Sequence, residues 1–120
     1  MTKKPAIPIR VLKDGREIIN LLCREGHEEY ERRKRAMLAR QNGICCLHRH
    51  IPSCPGKLYW KDVMFEHQDG RGLGGGHRDD RIERPDPKTG EMKPYNGVAH
   101  AWCNSLKGSR RIDYTGFYSK

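Results

Sequence analysis

Apolar positions are sparse along the chain, and their spacing divides it into short predicted elements. From His27 to Gln41 the run HEEYERRKRAMLARQ holds no Gly or Pro and is built from strong helix formers, which predicts a helix. Tyr30, Met37 and Leu38 fall on one face of it as a narrow apolar stripe. Asn42-Gly43 predicts its end, and Glu28 and Glu29 at its start, with basic residues later, suit the helix dipole. Upstream, VLKDGREII predicts a short hairpin turning at Asp14-Gly15. Pro5 and Pro8 keep residues 1–12 out of any helix. Cys23, beside Leu21 and Leu22 on a segment read as helical, fits a packed cysteine. Downstream, Pro52, Pro55 and Gly56 predict a turn across 51–60, and KLYWKDVMFEH reads as one or two strands. Residues 68–95, with six glycines and three prolines, read as one long irregular segment, which in a small domain is usually functional. GVAHAWCNSLKG then predicts a short strand and a short helix over about Ala101–Lys107, stopped near Gly108.

Composition changes this picture in one respect. The 120 residues suit one domain, but only 35% are hydrophobic and 32% are charged. The core is small, and a staple beyond it is expected. No apolar run approaches the length of a membrane span or a secretory signal, so a cytoplasmic location is expected. In such a compartment thiols stay reduced, and cysteines beside histidines point to metal rather than disulfides.

The stretch GICCLHRH, residues 43–50, and the stretch AHAWCN, residues 99–104, supply candidate ligands. Cys45 and His48 are spaced C-x2-H; His100 and Cys103 are spaced H-x2-C. A two-residue gap lets a tight turn aim both side chains at one ion, and two such pairs supply the four N/S ligands of a tetrahedral structural zinc. The pairs lie about fifty residues apart, against about 12 in a small zinc finger, so they would brace two distant segments. Cys46, His50 and Cys54 compete with Cys45 and His48 for the first pair.

Charge adds a partner class. With 24 Lys+Arg against 15 Asp+Glu the net charge is +9, which favours a polyanion such as nucleic acid. The run RRKR at 32–35 is either a phosphate grip or a solvated helix face. Arg71, with Arg78 and Arg81, either clamps phosphates or pairs with Asp69, Asp79 and Asp80 in the same segment. Lys107, Arg110 and Arg111 sit where local charge is purely positive and read as phosphate contacts.

Between the candidate zinc pairs, VMF runs into Glu66-His67 and then into the glycine-rich QDGRGLGGG; Asn96 follows, and HAWCNSLKG closes the set. In this order the residues resemble the HNH endonuclease family, over about residues 43–110. The resemblance implies an α+β chain: a zinc-braced ββα-metal domain at about 43–112, preceded by an N-terminal extension over 1–26 and a basic helix over 27–42, and followed by a tail over 113–120. It further implies that His67 is the general base, that Glu66 and Asn104 hold a catalytic divalent cation (Mg2+ or Mn2+), and that Asn96 shapes the loop and helps orient the base. Here the acidic position is Glu rather than the commoner Asp, and the last motif position is Asn rather than His. His77 is a second candidate for base or ligand. The implied partner is DNA, with a targeting protein a further expectation because no separate recognition domain is visible. Phage packaging, restriction systems and mobile introns are settings in which such domains occur. Composition and the metal pairs alone would also fit a non-catalytic zinc module that binds nucleic acid, or a structural zinc protein that binds another protein.

Overall fold

The computed structural model describes residues 7–68 and 79–107. Strand β1 (Ile9–Val11) pairs antiparallel with β2 (Glu17–Ile19), in the register Ile9 to Ile19. The connecting turn runs through Gly15, whose φ of +91° is open to glycine at low cost. This is the hairpin expected from Asp14-Gly15.

Helix α1 spans Arg24–Arg40, three residues earlier at its start than the pattern predicts. Two local features extend it. The Cys23 sulfur caps the Gly26 N–H at 3.4 Å, so this cysteine is an N-cap rather than a packed core thiol. A Cβ at residue 26 would lie 1.8 Å from the Asn20 carbonyl, so glycine alone allows the chain to enter the helix this closely. The helix ends as predicted: Asn42 and Gly43 take φ of 56° and 73°, and their N–H groups donate to Ala39 O and Leu38 O. Met37 is fully buried with Leu58, Phe65 and Val98, and Tyr30 and Leu38 pack against that cluster.

A 3-10 turn at Trp60–Asp62 leads into β3 (Val63–Glu66), which pairs antiparallel with β6 (Gly97–His100) in the register Phe65 to Val98. Helix α2 (Ala101–Lys107) follows β6 without a break, as the sequence pattern predicts. Val98 turns its N–H and C=O away from β3, and the buried Gln41 amide meets both: Val98 N–H donates to Gln41 Oε1 at 2.8 Å, and Gln41 Nε2 donates to Val98 O at 2.9 Å. One side chain at the end of α1 thus satisfies the outer edge of β6, which would otherwise bury unmet polar groups.

The segment 68–95 is not irregular throughout. Strands β4 (Glu83–Pro85) and β5 (Met92–Pro94) form a second hairpin. Its turn is closed by the Asp86 side chain accepting from Lys88 N–H at 2.7 Å, with Gly90 at φ +76°. DPKTG is itself a turn signal; the prolines flanking it masked two short strands that sit at an edge, where proline is tolerated. The result is a small α+β fold with two helices and three two-stranded antiparallel sheets among the described residues. No helix among them is long and apolar enough to cross a membrane.

Candidate functional site

Helix α2 and the end of β6 divide their side chains between two buried polar sites. The first is a metal-ligand cluster. Cys45, Cys54, His100 and Cys103 are all buried, and their ligand atoms lie within 4.8 Å of one another. His100 Nδ1 is 3.6 Å from Cys54 Sγ and 3.7 Å from Cys103 Sγ. A tetrahedral zinc with Zn–S near 2.3 Å spaces its donors by about 3.8 Å, so three thiols and an imidazole at these distances can hold a zinc ion. The other ring nitrogen, Nε2, is 2.8 Å from Lys57 O. With its hydrogen there, Nδ1 keeps its lone pair for the metal, the usual outer support of a ligating histidine. Trp102 stacks on the His100 ring at 4.2 Å and covers it.

Three of the four ligands predicted from spacing are in this cluster. The fourth is Cys54, not His48. The His48 ring is exposed and its Nδ1 bonds the Cys54 carbonyl at 3.1 Å, so it supports the turn that delivers the cysteine. The turns at 46–50 and 52–53 bring Cys54 back beside Cys45. Cys46 is buried in the neighbouring core with Leu47 and Ile51, and His50 is exposed. Burial pushes the Cys45 thiol up to about 11, the nearby Cys54 thiol adding to the effect. Burial also pushes the Cys103 thiol upward, with Cys45 beside it contributing. A thiol held protonated is a ligand only when the metal displaces its proton.

The second site lies at the other end of β3. Glu66 is buried, and the Lys107 amine, buried too, bonds its Oε1. The same amine donates to His67 O at 2.7 Å and Gln68 O at 3.3 Å. Lys107 is therefore an internal partner of the Glu66–Gln68 segment and not the exposed phosphate contact expected from local charge. Burial raises the Glu66 carboxyl above its ordinary range, and Lys107 acts against that. Asn104, half-buried on α2, lies three residues before Lys107, a spacing that puts the two on neighbouring positions of one helix face.

His67 is 9% exposed and stacks on Phe65 at 4.7 Å. Its Nε2 is 2.7 Å from Oδ1 of Asp80, which is fully buried. Asn96, in the left-handed region at φ 60°, ties this segment together. Its Oδ1 accepts from Gln68 N–H at 2.9 Å, and its Nδ2 donates to Asp79 O at 2.7 Å and Arg81 O at 2.6 Å. Asp80 carries no sequence signal beyond its place in HRDD, where internal pairing was expected only with the segment's own arginines. Arg81 does pair internally, with Asp79 at 2.8 Å.

The RRKR run is mostly neutralised. Arg32 and Arg33 both hold Glu29, Arg33 also holds Glu17 at 2.7 Å, and Lys34 pairs with Glu31 at 2.8 Å. Arg35 lies over the Trp60 ring at 4.8 Å. The candidates Arg71, His77, Arg78, Arg110 and Arg111, and the glycines 74–76, lie outside the described residues. No protein-family model, no curated protein and no solved structure matches this chain.

Proposed function

We propose that the chain is a metal-dependent endonuclease of the HNH type that hydrolyses DNA phosphodiester bonds. One observation supports the reading: Lys107, three residues after Asn104 on α2, bonds the Glu66 carboxylate and the His67 carbonyl at the end of β3. The Cys/His cluster supports it too, because its ligands His100 and Cys103 lie at the β6–α2 junction, directly before Asn104.

In this reading the His67 imidazole takes the proton from the attacking water. Asn96 and the Asp79–Arg81 segment keep the ring in place. Glu66 and Asn104 offer hard oxygen donors suited to Mg2+ or Mn2+. Bound there, such a cation would neutralise developing charge on the phosphate and leaving oxygen. Zinc on the Cys/His cluster has a structural role.

The test is plasmid cleavage across divalent metals by wild type, His67→Ala and Asn104→Ala, in nuclease-free preparations. Cleavage should need Mg2+ or Mn2+ and fall by about 10²–10⁴-fold in His67→Ala. Full activity in that variant would remove His67 from the mechanism.

A second reading, a zinc module that binds nucleic acid without cutting it, is favoured by one specific feature: the Glu66 carboxylate is buried and already holds the Lys107 ammonium. Salt-sensitive DNA binding with no cleavage under any divalent metal would decide for it.

A further inference from the structure

His67 has two ring nitrogens, and a base must leave one of them bare. Nε2 faces Asp80 Oδ1 at 2.7 Å, while Nδ1 makes no hydrogen bond among the described residues. A carboxylate can only accept, so this contact puts the hydrogen on Nε2. We propose that Asp80 is the positioning residue that sets the His67 tautomer and leaves Nδ1 as the nitrogen able to receive a proton. Its catalytic consequence rests on the nuclease reading above; the placement of the hydrogen does not.

Asp80 is held as a fixed acceptor rather than as a loose partner. Its second oxygen, Oδ2, accepts from Ile19 N–H at 2.9 Å. Its own N–H donates to Glu17 O at 2.7 Å, and its carbonyl accepts from Arg33 Nη1 at 3.0 Å. Asn96 grips the carbonyls on either side of it, those of Asp79 and Arg81. Strand β2 therefore holds the carboxylate itself, helix α1 and the residue before β6 hold the backbone that carries it, and Phe65 stacks on the ring it meets. The N-terminal hairpin, which resembles no part of a nuclease motif, gains a role: through Ile19 and Glu17 it aims the group that orients His67. In the proposed reaction, a water proton passes to Nδ1, and the imidazolium so formed rests against the Asp80 carboxylate.

The Ile19 contact makes the consequence of Asp80→Asn specific. A backbone N–H can only donate, so it claims the amide oxygen of the new side chain. The amide NH2 then faces Nε2, which must become the acceptor, and the hydrogen moves to Nδ1. The equivalent substitution in a Ser-His-Asp triad leaves the geometry intact and lowers turnover by about 10⁴-fold through the wrong tautomer.

The experiment uses the full chain loaded with zinc. Long-range 15N–1H NMR of the imidazoles assigns the His67 tautomer in wild type and in Asp80→Asn, and DNA cleavage is measured on the same samples. Expected are an Nε2–H ring with a slowly exchanging proton in wild type and an Nδ1–H ring in Asp80→Asn. Turnover should fall about 10³–10⁴-fold while KM for DNA stays within about twofold. An Nδ1–H ring in wild type, or an unchanged tautomer in Asp80→Asn, overturns the proposal. If Asp80→Asn does not fold, the wild-type tautomer and the exchange rate of its proton decide alone: a fast-exchanging or absent Nε2–H counts against it. Tautomer inversion in a protein that cuts no DNA would uphold the role of Asp80 and reject the nuclease reading. Cleavage with no inversion would do the reverse.

Discussion

The two buried polar sites that flank α2 solve the same problem in opposite ways. At one end, Cys45, Cys54, His100 and Cys103 converge beside a small apolar cluster that includes Leu47, Ile51 and Ala99. At the other, Glu66, Lys107, His67 and Asp80 answer one another, with carboxylates facing an ammonium and an imidazole. The first cluster could take a cation from outside; the second is closed by a cation from within. Three thiols and an imidazole suit a closed, tetrahedral zinc site, so the first cluster could hold zinc. The contrast identifies the second as the region where charge is held ready but internally balanced.

This comparison is most easily broken at the zinc end. Removing metal with a chelator, or introducing Cys54→Ser, should unfold the chain, because structural zinc contributes about 10–16 kcal/mol to domains of this kind. His48→Ala should keep about one zinc per chain. Metal analysis and thermal melts read both, and the opposite ranking of Cys54 and His48 would refute the ligand set. Because burial holds the Cys45 thiol at about 11 when no metal is bound, protons compete with zinc and affinity should fall steadily as pH falls.

The next largest effect is expected at the other end. Lys107→Met leaves the Glu66 carboxylate buried without its ammonium and should cost about 3–5 kcal/mol in urea unfolding. A loss below about 1 kcal/mol would mean that Glu66 finds water or another partner, and the closed character of this site would be lost with it.

Asn96→Ala removes the side chain that accepts from Gln68 and donates to Asp79 and Arg81, and it puts alanine at φ 60°. It should cost about 2–4 kcal/mol while leaving zinc content unchanged. Loss of zinc in this variant would show that the two ends do not behave separately.

The smallest effect is at the surface. Arg32, and then Arg33, hold the Glu29 carboxyl down at about 2 from an ordinary value of 4.5. A depressed carboxyl stabilises the fold above about pH 4.5, and that contribution disappears as pH falls through about 2. With solvent screening it amounts to about 0.5–1 kcal/mol. Glu29→Gln should therefore destabilise the chain slightly at neutral pH and not at all near pH 2. A pH series of unfolding midpoints measures it.

How much of this could be read in the chain depended on how local the cause was. Helix α1, its Asn42-Gly43 stop, the first hairpin and the strand-to-helix step into α2 were visible because capping, turn chemistry and helix propensity act over a few residues. The second hairpin was hidden by its prolines. Three of the four residues of the candidate metal cluster were visible as spaced pairs. The replacement of His48 by Cys54 was not, because both lie within reach of one turn and only the folded path of 46–54 chooses between them. Lys107 looked like a phosphate contact because helical position, not neighbouring charge, decides that it faces Glu66.

By itself the sequence determined most of the element types, the shortage of core and the concentration of thiol and imidazole donors in two short stretches, since each follows from residue chemistry and short spacing. Only the tertiary structure decided which donors meet, that Glu66 and Lys107 neutralise each other, and that Asp80 meets His67. Those contacts join residues brought together by the β3–β6 pairing and by the packing of α1, and no local pattern encodes the distance between side chains that far apart along the chain.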